Sequence, residues 1–88
     1  MQISVKLFAT LVQEIPESLL AHYPGEFRAG RPLTIELSEG SSVADLLDHL
    51  ALSAEKVKVV FVNGRKRELD YALQPGDEVG VFPPIGGG

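Results

Sequence analysis

The sequence predicts one α+β domain in which a mixed β-sheet is covered on one face by one main helix. Several short segments alternate apolar and polar residues, which is typical of strands with one buried face. One segment, Ser42–Leu52, instead repeats its apolar residues at helical spacing. Strands that accompany a single strong helix indicate an α+β protein rather than an alternating α/β one.

Two alternating segments predict strands in the N-terminal half. Gln2–Phe8 has an apolar residue at every second position, and Leu33–Leu37 repeats the pattern. The second strand is expected to pair antiparallel with the first. The connection between them contains two short helical patterns, in Ala9–Ile15 and in Glu17–Tyr23, with loop signals after the second.

The main helix has a recognisable start. Ser42 is a good N-cap, and Asp45 three residues later completes a capping-box pattern with Asp in place of Glu. Four apolar residues at spacing i, i+3, i+4, i+7 form a stripe that should face the core, namely Val43, Leu46, Leu47 and Leu50.

The C-terminal half predicts three further strands joined by tight turns. Val57–Val62 is rich in β-branched residues and is predicted as a well-buried strand. Asn63-Gly64 favours a type I′ hairpin turn, from which Arg65–Leu69 returns. Gln74–Asp77 has Pro and Gly where a type II turn needs them. Glu78–Phe82 then alternates, with its valines inward and its glycine and phenylalanine outward.

Composition limits the possible functions. The chain has 88 residues, 12 acidic and 8 basic, with a net charge of −4 and no cysteine. A nucleic-acid binder would need a basic patch, and the one basic cluster, 65–67, is interpreted as a solvated turn. Disulfides and thiolate metal sites are excluded. No apolar run has the length of a membrane span, and no signal peptide is recognisable, so we expect a cytoplasmic protein.

Other groups that could support chemistry do not form a site in the sequence. His22 and His49 are far apart in sequence, so we expect surface histidines and no metal site. Asp77 and Glu78 are adjacent in a strand and therefore point to opposite faces, which favours roles in the turn over an acid pair. No phosphate-binding glycine motif is present.

The chain ends in Phe-Pro-Pro-Ile-Gly-Gly-Gly. We expect a domain over residues 1–84 and a flexible glycine-rich tail over 85–88. Pro83 and Pro84 end the last strand and favour a stiff, extended exit, because they lack N–H donors and have restricted φ. Terminal glycines are also found as frayed ends or cloning scars, so the tail by itself leaves both interpretations open.

The ending resembles that of a known family. Gly76-Asp77-Glu78-Val79, followed by the segment 82–88, is similar to the G-D-E-V…F-P-P-x-x-G-G ending of molybdopterin synthase small subunits. It is less closely similar to the ending of thiamine sulfur carriers. Residues 6–9 resemble the family's first strand, and 42–46 resemble the start of its helix. The resemblance implies a ubiquitin-like β-grasp fold.

The resemblance also implies a function. In this family an E1-like adenylating enzyme uses ATP to adenylate the terminal glycine, which then becomes a thiocarboxylate. Gly88 would be the modified residue, and Gly87 and Gly86 would be required for activation. The chain itself would bind no cofactor and would not be an enzyme. Its second partner would be the large subunit of molybdopterin synthase, with no nucleic acid or membrane involved.

A docking surface near the tail is also expected. By alternation, Phe8 and Phe82 point away from the buried face, and together with Pro83 and Pro84 they are candidate partner-docking residues. The alternative is that the segment 14–32 folds back and covers one of the two rings.

Other functions remain open on the sequence alone. One is a sulfur carrier for thiamine, sulfur amino acid or tungsten cofactor synthesis. The second is a modifier that is joined to lysines of target proteins. The third is an interaction domain with an inert tail.

Overall fold

The residues that the computed structural model describes, 1–23 and 28–84, form a five-stranded mixed sheet. The strands are β1 (Gln2–Leu7), β2 (Leu33–Glu36), β3 (Val59–Val62), β4 (Arg65–Arg67) and β5 (Glu78–Phe82), in the spatial order β2-β1-β5-β3-β4. β1 pairs antiparallel with β2, as predicted, and parallel with β5. β3 pairs antiparallel with both β4 and β5. The predicted mixed sheet is confirmed. The strand that comes last in the chain, β5, lies at the centre of the sheet.

Four helical segments connect the strands in the described part of the chain. A 3₁₀ helix over Ala9–Glu14 and a short α1 (Glu17–Leu20) follow β1, where two helical pieces were expected. The main helix, α2, spans Val43–His49. A 3₁₀ turn over Ala54–Lys56 precedes β3. None of these helices has the length and apolar character that crossing a membrane requires.

The main helix is shorter than the predicted 42–52, and both of its ends have clear causes. The capping box is confirmed, because Ser42 Oγ accepts from the Asp45 N–H and an Asp45 carboxylate oxygen accepts from the Ser42 N–H. At the other end Ala51 adopts a left-handed φ of 57°. The N–H groups of Ala51 and Leu52 donate to the carbonyls of Asp48 and Leu47, which is the Schellman pattern that ends a helix.

The first turn of α2 also donates hydrogen bonds to carbonyl groups outside the helix. The N–H groups of Val43 and Ala44 donate to the carbonyls of Tyr71 and Leu69, at 3.0 and 2.9 Å. These N–H groups have no partner within the helix. The return strand was expected to reach residue 69, but β4 ends at Arg67 because the chain beyond it turns toward the helix.

The core lies between α2 and one face of the sheet. The predicted inward residues of β1, of β5 and of the segment 33–37, together with the whole helical stripe, are buried in a single cluster with Leu73. The prediction of a well-buried 57–62 strand is only half right: Val60 and Val62 are buried, but Val59 and Phe61 are half-buried. No helix among the described residues packs on the opposite face, so the outward side chains of the central strands stay accessible.

The predicted turns are confirmed by their backbone angles. Asn63 and Gly64 have φ of 52° and 84°, as a type I′ turn requires. Gly76 has φ of 83°, and the Asp77 N–H donates to the Gln74 carbonyl at 3.1 Å. These two turns lie at the same end of the sheet, away from the end where β5 leaves.

Candidate docking surface at the exit of the last strand

The end of β5 is hydrogen-bonded to the chain on both of its sides. The Phe8 N–H donates to the Val81 carbonyl at 3.0 Å, and the Lys58 N–H donates to the Phe82 carbonyl at 2.8 Å. Pro83 and Pro84 follow at once and have no N–H to continue the ladder. The chain therefore departs from a fixed position at Phe82.

Three aromatic rings lie beside this exit. The rings of Phe8 and Phe82 are stacked with centroids 4.3 Å apart and planes 2° from parallel. The ring of Phe61 meets Phe82 edge-on at 5.7 Å and 84°. All three side chains are half-buried on the outer face of the sheet, the one without a helix. We call Phe8, Phe61 and Phe82 the phenylalanine cluster.

Gly80 provides the space in which the rings lie. It is the cross-strand partner of Phe61 and precedes Phe82 by two residues on the same face. A Cβ at this position would lie 3.4 Å from Cε2 of Phe8 and 3.6 Å from Cε2 of Phe82. A larger side chain would push the rings off the sheet, so the glycine allows the cluster to lie flat.

Two open hollows flank the phenylalanine cluster. One, of about 400 Å³, extends toward the Asn63 turn, and its walls include the charged residues Lys6 and Glu78. The other, of about 410 Å³, extends toward the strand exit and has mainly apolar walls that include Val59, Pro83 and Pro84. The candidate docking residues, Phe8, Phe82, Pro83 and Pro84, therefore lie on one continuous surface.

The expected alternative is that the 14–32 segment covers one of the rings, and in the described part of that segment, 14–23 and 28–32, Gly30 lies beside the edge of Phe8. The Gly30 N–H donates to the Leu7 carbonyl at 2.8 Å, and a Cβ at Gly30 would lie 3.8 Å from Cε1 of Phe8. Phe8 still borders both hollows. The described residues of the segment therefore leave both Phe8 and Phe82 half-buried rather than covered.

Phe61 belongs to the surface although the sequence analysis did not select it. The β-branched content of 57–62 predicts a well-buried strand, and that prediction does not use the alternation within the segment. With Val60 and Val62 inward, the same alternation places Phe61 outward. Its cross-strand partner is Gly80, which has no side chain, and the Phe61 ring contacts Phe82 beside it.

The buried carboxylate of Asp77 has a structural role, as expected for this turn. It is 6% exposed and accepts two hydrogen bonds, from Asn63 Nδ2 at 2.9 Å and from the Gln74 N–H at 2.8 Å. Asn63 Oδ1 in turn accepts from the Glu78 N–H at 2.9 Å. These contacts join the β3–β4 hairpin to the start of β5, and we call them the Asp77–Asn63 clasp.

Both histidines are exposed. The Tyr23 hydroxyl lies 3.5 Å from Nε2 of His49, at the end of α2. Within residues 1–23 and 28–84, no group of three His, Asp or Glu side chains is arranged to hold a metal ion. The remaining site candidates, Gly86, Gly87 and Gly88, lie outside the described residues.

The sheet order, the helix on one face and the tail leaving from the central strand define a ubiquitin-like β-grasp protein. The sequence profile of the ThiS family matches residues 21–88, which include the glycine tail. The chain therefore belongs to the ThiS family of small ubiquitin-like sulfur carriers.

Solved structures of other proteins share this fold, and one of them exceeds 30% identity. A Pyrococcus furiosus protein assigned as molybdopterin converting factor subunit 1 is 31% identical over 97% of this chain and 99% of its own, with a TM-score of 0.66. SAMP1 from Haloferax volcanii is 23% identical over the full length of both chains, with a TM-score of 0.63. No curated protein sequence matches the chain.

A more distant structure shows the same fold in a complex. It is the complex of subunits 1 and 2 of molybdopterin-converting factor from Helicobacter pylori. The matched chain is 17% identical over the full length of both chains, with a TM-score of 0.57. At this identity the match supports the fold alone.

Proposed function

We propose that this chain carries sulfur as a thiocarboxylate on Gly88, and that it serves as the small subunit of molybdopterin synthase. The observation that carries the proposal is the course of β5. This central strand is held up to Phe82, passes an accessible aromatic surface, and continues into Pro-Pro-Ile-Gly-Gly-Gly. The 31% identity to the Pyrococcus furiosus protein favours the molybdopterin pathway.

The tail suits a reaction at its own carboxylate. Glycines lack side chains, so the end of the chain fits a narrow active site and its backbone can approach a partner closely. A carboxylate is a poor acyl donor until its oxygen becomes part of a good leaving group. Attack of that oxygen on the α-phosphate of ATP forms an acyl adenylate and releases pyrophosphate. Attack of hydrosulfide, the sulfide-level sulfur nucleophile, on the acyl carbon then breaks the acyl–phosphate bond, releases AMP and leaves the thiocarboxylate, without a cysteine in the carrier.

The phenylalanine cluster suits the docking of the enzymes that act on the tail. Residues 85–88 span at most about 13 Å when extended. A partner that reaches Gly88 must therefore lie against the domain close to Pro84. The aromatic surface and the apolar hollow at the exit provide contacts there, and aromatic side chains dominate the energy of many interfaces. The two proposed partners are an E1-like adenylating enzyme, which supplies the ATP site, and the large subunit of molybdopterin synthase.

The first experiment tests activation. The purified chain is incubated with ATP, a sulfur donor and the adenylating enzyme encoded in the same genome, and its intact mass is measured. The expected product has one oxygen replaced by sulfur, and fragmentation should locate the change at Gly88. A variant that lacks Gly87 and Gly88 is the control and should remain unmodified. Absence of both adenylate and sulfur on the wild-type chain would contradict the proposal.

The second experiment tests the pathway. The thiocarboxylated chain is mixed with the large subunit of molybdopterin synthase and the pterin precursor, and the loss of sulfur from the carrier is followed. Loss that requires the precursor supports the molybdopterin assignment. Sulfur loss only with thiamine-pathway enzymes would assign the chain to that pathway instead. Recovery of Gly88 joined to lysines of other proteins would identify a modifier.

A further inference from the structure

A row of residues crosses the outer face of the sheet and has a lysine at each end. Lys6 on β1, Gly80 on β5, Phe61 on β3 and Lys66 on β4 are successive cross-strand partners. Cross-strand partners share a face of the sheet, so both lysines lie on the face of the phenylalanine cluster. Three strand spacings of about 4.8 Å place their Cα atoms about 14 Å apart.

These lysines are available for a partner. Both are exposed, and within residues 1–23 and 28–84 neither is within ion-pair distance of a carboxylate. A third exposed lysine, Lys58, borders the apolar hollow at the strand exit. One acidic residue, Glu78, also lines the hollow toward the Asn63 turn; it is the cross-strand partner of Ser4, one row further from the strand exit than Lys6. A chain with a net charge of −4 thus has positive charge on both sides of its aromatic surface.

Resting on the proposed function, we propose that the adenylating enzyme that acts on Gly88 presents an apolar centre flanked by carboxylates, which pair with Lys6 and Lys66. The aromatic rings supply the buried contact area. The charges at the rim set the orientation of the complex and increase the rate of association, because complementary potentials steer the encounter. Correct orientation is needed because a short tail reaches an active site from one direction only.

The same charges disfavour a second copy of this chain as the occupant. Two identical faces would bring lysines of both copies to one interface, and like charges at close range are destabilising. An acidic partner has the complementary charge.

The test reverses each charge and compares the result with a matched control. Lys6→Glu and Lys66→Glu each lower the net charge of the chain by two. Arg65→Glu does the same one residue away on β4, but Arg65 is the partner of Val62, whose side chain is buried, so it lies on the opposite face. The measured quantity is kcat/KM for ATP-dependent adenylation of the chain by the enzyme encoded in the same genome.

We expect each lysine reversal to lower kcat/KM about tenfold at low salt, with a larger loss in the double variant and a change within about twofold for Arg65→Glu. Raising the ionic strength from about 0.05 to about 0.5 M should lower kcat/KM of the wild type and narrow these differences, because salt screens exposed charges. Lys6→Gln and Lys66→Gln should show a weaker salt dependence than the wild type.

The outcomes separate this inference from the proposed function. Equal losses for Arg65→Glu and the lysine reversals would show an effect of net charge and would overturn the inference, as would unchanged rates in all variants. A wild-type chain that is never adenylated would contradict the proposed function itself. Thermal unfolding of every variant identifies losses of kcat/KM that are caused by misfolding. If a Glu variant misfolds, the salt dependence of kcat/KM for Lys6→Gln and Lys66→Gln is the test instead, and a dependence equal to that of the wild type would overturn the inference.

Discussion

Replacing Asp77 by alanine should destabilise the domain by about 3 kcal/mol. The carboxylate is 6% exposed and accepts one hydrogen bond from the Asn63 side chain and one from the Gln74 N–H. A hydrogen bond to a charged group contributes about 1.5–3 kcal/mol, so losing two of them costs at least about 3 kcal/mol. For a domain of this size that loss lowers Tm by roughly 15 °C.

A double-mutant cycle isolates the bond between the two side chains. Asn63→Gly is the suitable second change, because glycine keeps the positive φ that this turn needs while removing the side chain. It should cost about 2 kcal/mol, since it also removes the acceptor of the Glu78 N–H. The two changes share one hydrogen bond, so together they should cost about 1.5 kcal/mol less than the sum of the single changes.

Urea unfolding monitored by circular dichroism measures all four proteins of this cycle. A coupling energy within about 0.3 kcal/mol of zero would mean that the two side chains act independently. That result would refute the clasp as the link between the hairpin and the start of β5. An Asp77→Asn variant, which keeps one acceptor oxygen, should lie between the wild type and Asp77→Ala.

Three further outcomes are expected. Ala51→Gly should stabilise the domain by about 1 kcal/mol in urea unfolding, because residue 51 has a left-handed φ, whereas Ala44→Gly inside α2 should destabilise it by about as much. Phe82→Ala should weaken binding of the adenylating enzyme at least about tenfold in calorimetry, while Leu69→Ala, an exposed apolar residue away from the phenylalanine cluster, should leave it unchanged. Gly80→Val should separate the stacked rings and weaken the same binding, and unaltered affinity would argue against a flat aromatic surface as the docking site.

Local patterns accounted for most elements of the fold. Alternation in 2–8 and 78–82 predicted β1 and β5, and the capping box predicted the start of α2. Both turns with positive φ were predicted from Asn63-Gly64 and from Gly76, because few residues tolerate that backbone conformation. The β-grasp assignment followed from the C-terminal motif, which joins a turn, a strand and a tail in one continuous segment.

Element ends were predicted less well, because partners distant in sequence determine them. β4 ends at Arg67 because the carbonyls of Leu69 and Tyr71 accept from the first turn of α2. The strand expected at 57–62 begins at Val59, and its outward side chains are not covered. A β-branched run is compatible with burial on one face or on two, and only the packing around it decides between them.

The ending of this chain and its strand patterns are local in sequence, so they were sufficient to indicate the ubiquitin-like fold and the sulfur carrier family. The residues that form the surface beside that ending are far apart in the sequence. Phe61 joins Phe8 and Phe82, and Lys6 lines up with Lys66, only through the register of four strands that are far apart in the chain. A shift of one residue in any of these pairings would turn a side chain to the other face, so this surface exists only when the whole sheet has formed.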